Sequence, residues 1–284
     1  QESPNYISTN QARKSEKIVM IIEQPSENNN GGEIAFGPDG FLYIAVGDGG
    51  WNSPKNVSQE HSSRLGKILR VDIDTDQPFL APEQNPFASM GGTPENEIWA
   101  KGFHNPYKFS FDKKTGDLFV ADVGDNSWEE INFVPRGASA ESKNFGWPIM
   151  EGSYCYSPVT AKKKIECNPV GVLPIAQYKH PEDKKIGESS KNFSCASVQG
   201  FGVANYPNME RTYMFGDWCS GKIYGVSVKN DKWKLDELMH TDLHLTAGGN
   251  DEDGNVIALS AKFYFDEEDK DKPPYGTVWR IVKP

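Results

Sequence analysis

The sequence predicts an all-β fold of short antiparallel strands, and three observations carry that expectation. Helical periodicity is nearly absent. Apolar or alternating runs of four to six residues recur along the chain, the usual strand length. Gly, Pro, Asp and Asn separate the runs, and 27 glycines and 19 prolines in 284 residues suit a turn-rich chain rather than a helical bundle.

The first run is 33–36. It is followed by Gly37-Pro38-Asp39-Gly40, where proline presets φ and glycine tolerates positive φ, so the chain reverses into 42–46. A third run covers 67–72. Runs 108–111 and 118–121 flank a second Asp/Gly turn at 112–116. Runs 212–215 and 222–226 come next, the turn 251–254 leads into 256–259, and 277–282 closes the series. The turns near positions 38, 114, 219 and 253 form a loose repeat. Such repeats suggest a β-propeller; a two-sheet sandwich or jelly roll is the alternative that periodicity leaves open. Residues 1–16 form a lead-in and 17–284 the folded domain, with 74–96 and 148–191 expected as inserted loops rich in Pro, Lys, Glu and Ser. The charged run 266–272 before Pro273-Pro274 reads as an exposed hairpin tip.

The formal net charge is −10, which disfavours nucleic acid and anionic membrane surfaces as partners. No apolar run approaches the roughly 20 residues of a membrane span. Gln1 opens a polar segment without a signal-peptide pattern, so the chain is expected to be a mature or trimmed product. Four cysteines, Cys155, Cys167, Cys195 and Cys219, form no CxxC pair and allow two disulfides in any of 3 pairings. Cys155 and Cys167 lie twelve positions apart, and a local bond there would hold a loop with little core of its own. Two sequons, Asn56-Val57-Ser58 and Asn192-Phe193-Ser194, together with the cysteines, point to an oxidising secretory or extracellular compartment.

Seven motifs occur in one order: GGEIAFGPDGFLYIAVGDGG (31–50), GKILRVDID (66–74), EIWAKGFHNPYKFSFD (97–112), TGDLFVADVGDNSWEEIN (115–132), NFGWP (144–148), YMFGDWCSGKIYG (213–225) and NDEDGNVIAL (250–259). They resemble the glucose/sorbosone dehydrogenase family, which includes soluble PQQ-dependent aldose dehydrogenases and hedgehog-interacting-protein-like propellers. The resemblance runs from about 17 to 283. It implies a six-bladed β-propeller of the quinoprotein glucose dehydrogenase type, of which this sequence supplies about four blades. The remaining blades are then expected from a longer precursor or from another chain. It also implies a Cys195–Cys219 bond beside Cys155–Cys167.

In that family a histidine before the first Gly-Gly strand is the base that takes the hydroxyl proton as hydride passes to the quinone. The matching position here is Asn29, which cannot act as a base near neutral pH. The family's Arg-Asn-Pro triplet, whose first two residues contact PQQ, is His104-Asn105-Pro106; Asn105 is kept, and His104 is not a permanent bidentate cation. Asn205 stands where a further cofactor-binding arginine is expected. The calcium-holding loop maps to Gly124 and Asp125, and the acidic pair to Glu129 and Glu130. Phe145 replaces a tyrosine in the family's Tyr-Gly-Trp-Pro. Asp48-Gly49-Gly50 is only superficially like a phosphate loop, since no Lys-Ser pair follows. His61, His180, His240 and His244 are scattered.

Taken together, these departures predict a secreted, non-catalytic binding or structural module with a degenerate PQQ site and a protein or carbohydrate partner. The alternatives are an active PQQ- and calcium-dependent aldose dehydrogenase oxidising a sugar C1 hydroxyl to the lactone, with His104 as a relocated base, or a lactone-hydrolysing calcium propeller.

Overall fold

The computed structural model describes residues 14–88, 94–158, 165–180, 197–206, 209–262 and 275–282. Four antiparallel sheets follow one another along the chain. The first is β1 (Ile34–Phe36), β2 (Leu42–Val46), β3 (Lys67–Val71) and β4 (Ile98–Lys101), paired in that order. The second is β5 (Asn105–Phe111), β6 (Leu118–Val123) and β7 (Trp128–Val134), whose outer edge pairs with a later strand, β10 (Ala176–Lys179). Between β7 and β10 lies a small hairpin of β8 (Met150–Glu151) and β9 (Tyr154–Cys155). The third sheet is β11 (Val198–Tyr206), β12 (Met209–Asp217), β13 (Lys222–Lys229) and β14 (Lys232–His240). The fourth is β15 (His244–Asn250), β16 (Val256–Lys262) and β17 (Tyr275–Arg280). No helix among the described residues is long and apolar enough to cross a membrane.

The alternation of side chains along each strand explains why these sheets stack. On β6, Leu118 and Val120 pack with Tyr43, Ile68 and Phe109. Phe119 and Ala121 point the other way, into a cluster with Tyr213, Phe215 and Val226. One strand thus contributes to two inter-sheet cores and reads as a continuous apolar run. β12 does the same, with Met214 entering a third cluster beside Phe201, Leu245 and Val256. Strands at the start of neighbouring sheets touch: β2, the second of its sheet, meets β5, β5 meets β11, and β11 meets β15. Meandering sheets stacked face to face through their first strands are the propeller arrangement, not the sandwich.

The three Asp/Gly turns at 37–40, 112–116 and 251–254 join β1 to β2, β5 to β6 and β15 to β16. Several strands lie outside the apolar runs. β7 places Glu129, Glu130 and Asn132 at buried positions, β11 contains two glycines, and the outer strand β14 is largely charged. Residues 148–191 are also not featureless, since they carry β8, β9 and β10. Cys155 and Cys167 are bonded to each other. Cys219 is disulfide-bonded as well, and Cys195 lies outside the described residues, as does Asn192.

Candidate functional site

Asn29, His104 and Asn105 meet at one end of the first two sheets. Asn29 precedes β1 with φ 56, the left-handed region in which asparagine is one of the few tolerated side chains. Its carbonyl nests against Gly47, where an added Cβ would lie 2.0 Å from that oxygen. Asn105 opens β5, and its Oδ1 accepts the Gly31 amide at 2.9 Å. The carboxylate of Asp122, on the neighbouring strand, accepts the amides of His104 (3.1 Å) and Asn105 (2.6 Å). The backbone of His104 in turn accepts the Asp48 amide at 2.8 Å, latching the two sheets together.

The side chains of this cluster form a ring of contacts. His104 is buried. Its Nδ1 is 2.5 Å from the Val123 carbonyl oxygen, so Nδ1 carries the hydrogen. Asn29 Nδ2 donates to Asp48 Oδ1 at 3.1 Å and lies 2.9 Å from His104 Nε2. Nε2 is therefore placed to accept from that amide. Trp147 packs edge-on against His104 and donates from Nε1 to Asp48 Oδ2 at 2.9 Å. Tyr156 packs edge-on against Trp147 and donates its hydroxyl to Asp125 Oδ2 at 2.7 Å. Asp125 Oδ1 is 3.8 Å from His104 Nε2 and closes the ring of contacts. Beside the ring lies a cavity of about 420 Å³ lined by Asp48, Ser53, Lys55, Asn56, Trp147 and Tyr156, among others. Asn56 is exposed, while Ser58 of its sequon is buried and donates to the Phe103 carbonyl.

Of the predicted calcium residues, Asp125 belongs to this ring, Gly124 precedes it in the same loop, and Glu129 and Glu130 follow on β7. Glu129 and Glu130 face opposite sides of β7. Glu129 accepts from His180 Nε2 (2.7 Å), the Val198 amide (2.8 Å) and the Gly124 amide (3.3 Å). Burial raises its pKa despite those partners, and its hydrogen bond raises that of His180 against the effect of burial, so the pair retains a proton. Glu130 accepts from the Gly152 amide and Asn132 Nδ2. Burial pushes its carboxyl up to about 7. Asp122, its direct cross-strand partner, is raised by burial and by the Glu130 charge. Glu151 takes the amides of Asn126 and Ser127 at 2.8 Å each, fixing the loop that carries Gly124 and Asp125. Among the described residues, no three His, Cys, Asp or Glu side chains converge in a metal-binding arrangement.

Asn205 does not join the ring. It lies toward the far end of β11, next to Val203 and Ala204, which line a separate cavity with Phe111 and Asp112. The strand's direction is the cause: Val198 starts it at Glu129, and the following residues run away from that level. The side chain of Asn205 lies outside the described residues. Phe145 is buried in the core, stacking on Phe103 with ring centroids 4.7 Å apart. Sequence reasoning missed Asp48, Asp122, Trp147 and Tyr156 as site residues. The Asp48-Gly49-Gly50 turn directly after β2 was the available signal for the first of them.

The Glucose / Sorbosone dehydrogenase family profile matches residues 6–244. HIPL2 protein of Arabidopsis thaliana is 35% identical over 228 residues, covering 73% of this chain, while the chain spans 31% of HIPL2. Human (Homo sapiens) Hedgehog-interacting protein is 30% identical over 123 residues, covering 42% of this chain and 17% of its own length. The PQQ-bound aldose sugar dehydrogenase from Streptomyces coelicolor superposes with a TM-score of 0.57 at 23% identity, covering 81% of this chain and 55% of that one; at this identity the likeness concerns the fold. With stacked meandering sheets, the ordered motifs and a match over most of its length, the chain belongs to the glucose/sorbosone dehydrogenase family.

Proposed function

We propose that this chain is part of a secreted, sugar-dehydrogenase-like propeller that works as a binding module, its quinone site no longer catalytic. One observation carries the reading: at the family's base position stands Asn29, and its amide occupies the lone pair of His104 Nε2 at 2.9 Å. Asparagine supplies no general base, whose loss typically costs 10² to 10⁴ in rate. The alternative, an active aldose dehydrogenase with His104 as relocated base, requires Asn29 to swing off that nitrogen.

The donor set supports the same reading. Around His104 the network consists of Asp48, Asp122, Asp125, the imidazole itself and two asparagine amides. Among the described residues it includes no Arg or Lys; exposed Lys55 lines the adjoining cavity instead. Such a set does not fit PQQ, whose carboxylates would meet like charge. Calcium takes roughly six to eight oxygen ligands. Glu129 and Glu130 accept N–H donors on both oxygens, and Asp125 Oδ2 accepts from Tyr156 and Asn126, so a calcium ion here would draw on Asp125 Oδ1 and the backbone carbonyls of Gly124 and Asp125.

A protein partner is favoured over a carbohydrate by the kinship with Hedgehog-interacting protein, which by its name binds a protein. The Cys155–Cys167 bond favours an extracellular setting, where Asn56 and Asn192 would be glycan acceptors. The deciding experiment supplies the purified protein with PQQ, calcium, an aldose and a dye acceptor. Neither a PQQ difference spectrum nor dye reduction is expected; sustained turnover would overturn the proposal.

A further inference from the structure

A second chemical cluster lies on the first sheet, away from the ring around His104. In the β3–β4 pair, Lys67 and Lys101 are direct register partners, a like-charge placement that is costly in a sheet. Lys67 is sealed from solvent, and its Nζ donates to the carbonyls of Val57 (2.9 Å) and Leu65 (2.7 Å). Lys101 is half-buried. Its Nζ donates to the Gln59 carbonyl at 3.2 Å and lies 3.0 Å from His61 Nε2. Phe87 packs on the His61 ring with centroids 4.9 Å apart and holds the imidazole in place.

Two cationic nitrogens cannot hydrogen-bond to each other. The Nζ–Nε2 contact therefore requires a lone pair on one of them, so the pair holds at most one of the two charges while the contact lasts. The groups facing the pair are Lys67, the Gln59 carbonyl, the Phe87 ring, and Glu60 and Glu95. The two acids act only through space, and neither forms an ion pair with Lys67, Lys101 or His61. Burial lowers the pKa of all three bases, Lys67 to about 7, and the charge of Lys101 lowers Lys67 and His61 further. A half-buried amine beside a second cation and in contact with an imidazole is the setting in which lysine becomes a nucleophile.

We propose that Lys101 is a reactive amine at which the folded protein forms an imine with small aldehydes, and that His61 relays the proton. The Nζ lone pair attacks the carbonyl carbon, and the C=O π pair moves to oxygen. The surplus ammonium proton passes through His61 Nε2 to that oxygen, giving a carbinolamine. Loss of water then leaves the C=N bond, with no oxidant or reductant consumed. Lys67 is chemically similar but unreachable, so the reactivity belongs to Lys101.

The test treats the native protein with propionaldehyde and cyanoborohydride near neutral pH and maps the alkylated lysines by mass spectrometry at early times. Lys101 is expected to react about tenfold faster than exposed Lys55 and Lys232, because burial leaves more of its amine with a free lone pair, with Lys67 unlabelled. His61→Gln is expected to remove most of that advantage while circular dichroism stays unchanged. The assignment fails if Lys101 reacts no faster than Lys55 and Lys232, if Lys67 labels at the same rate as Lys101, or if His61→Gln leaves the Lys101 rate intact.

Discussion

Glu130 shows how one side chain couples burial to pH. Its carboxyl holds a proton up to about 7 in the folded protein, against 4.5 for the ordinary group. Between those values the folded state binds more protons than the unfolded chain, so this residue makes stability fall as pH rises through that window. Asn132, whose Nδ2 faces Glu130, has a buried Oδ1 without a partner. An amide at position 130 keeps an acceptor for the Gly152 amide and can donate to that oxygen once Asn132 flips. Glu130→Gln should therefore raise stability by roughly 1–3 kcal/mol at about pH 8 and change it little at about pH 5, as read by urea denaturation at both values. The sequence revealed Asn29 and His104 as departures because the motifs around them are intact. It did not reveal that the two touch, nor that Asp48 and Tyr156 complete their ring. Asp48 lies 19 positions from Asn29 and Tyr156 lies 31 from Asp125, and only the packing of whole sheets brings them together.

At the scale of the element, the loop 124–128 is held by carboxylates rather than by apolar packing. Glu151, buried on β8, accepts the amides of Asn126 and Ser127, and Glu129 accepts that of Gly124. Removing the Glu151 carboxylate strands those donors, at roughly 1–3 kcal/mol for each that stays dry. Glu151→Ala should speed hydrogen exchange of the amides of Asn126 and Ser127 about tenfold or more, with the amides of β5 and β6 unchanged. Strands that are short, nearly continuous apolar runs, such as β2 and β6, were legible in the sequence. β7 was not, because its buried positions include Glu129, Glu130 and Asn132, which periodicity counts as polar. β10 was hidden for a different reason: it returns to the sheet only after the β8–β9 hairpin and the Cys155–Cys167 loop.

For the whole molecule, stability resides between sheets. Phe119 is fully buried and stacks on Tyr213 of the next sheet with centroids 4.6 Å apart and an interplanar angle of 6°. Phe119→Ala should cost about 3–5 kcal/mol in a urea titration. Because the contact spans two sheets, fluorescence and circular dichroism should report the loss in a single shared transition. The order of the sheets was readable from the repeated turns, while the face-to-face stacking had to be argued from family likeness, since short strands alone fit sandwiches equally well.

The buried pair Asp122 and Glu130 has a consequence beyond stability. Asp122 grips the amides of His104 and Asn105, and its neighbour across the strands shares its burial and its charge. Whatever pulls on those amides changes how tightly the pair keeps its proton. Any rearrangement of this corner is thereby an exchange reaction with the solvent, taking up or releasing hydrogen ions as it proceeds, and its equilibrium becomes a function of the acidity of the surrounding fluid.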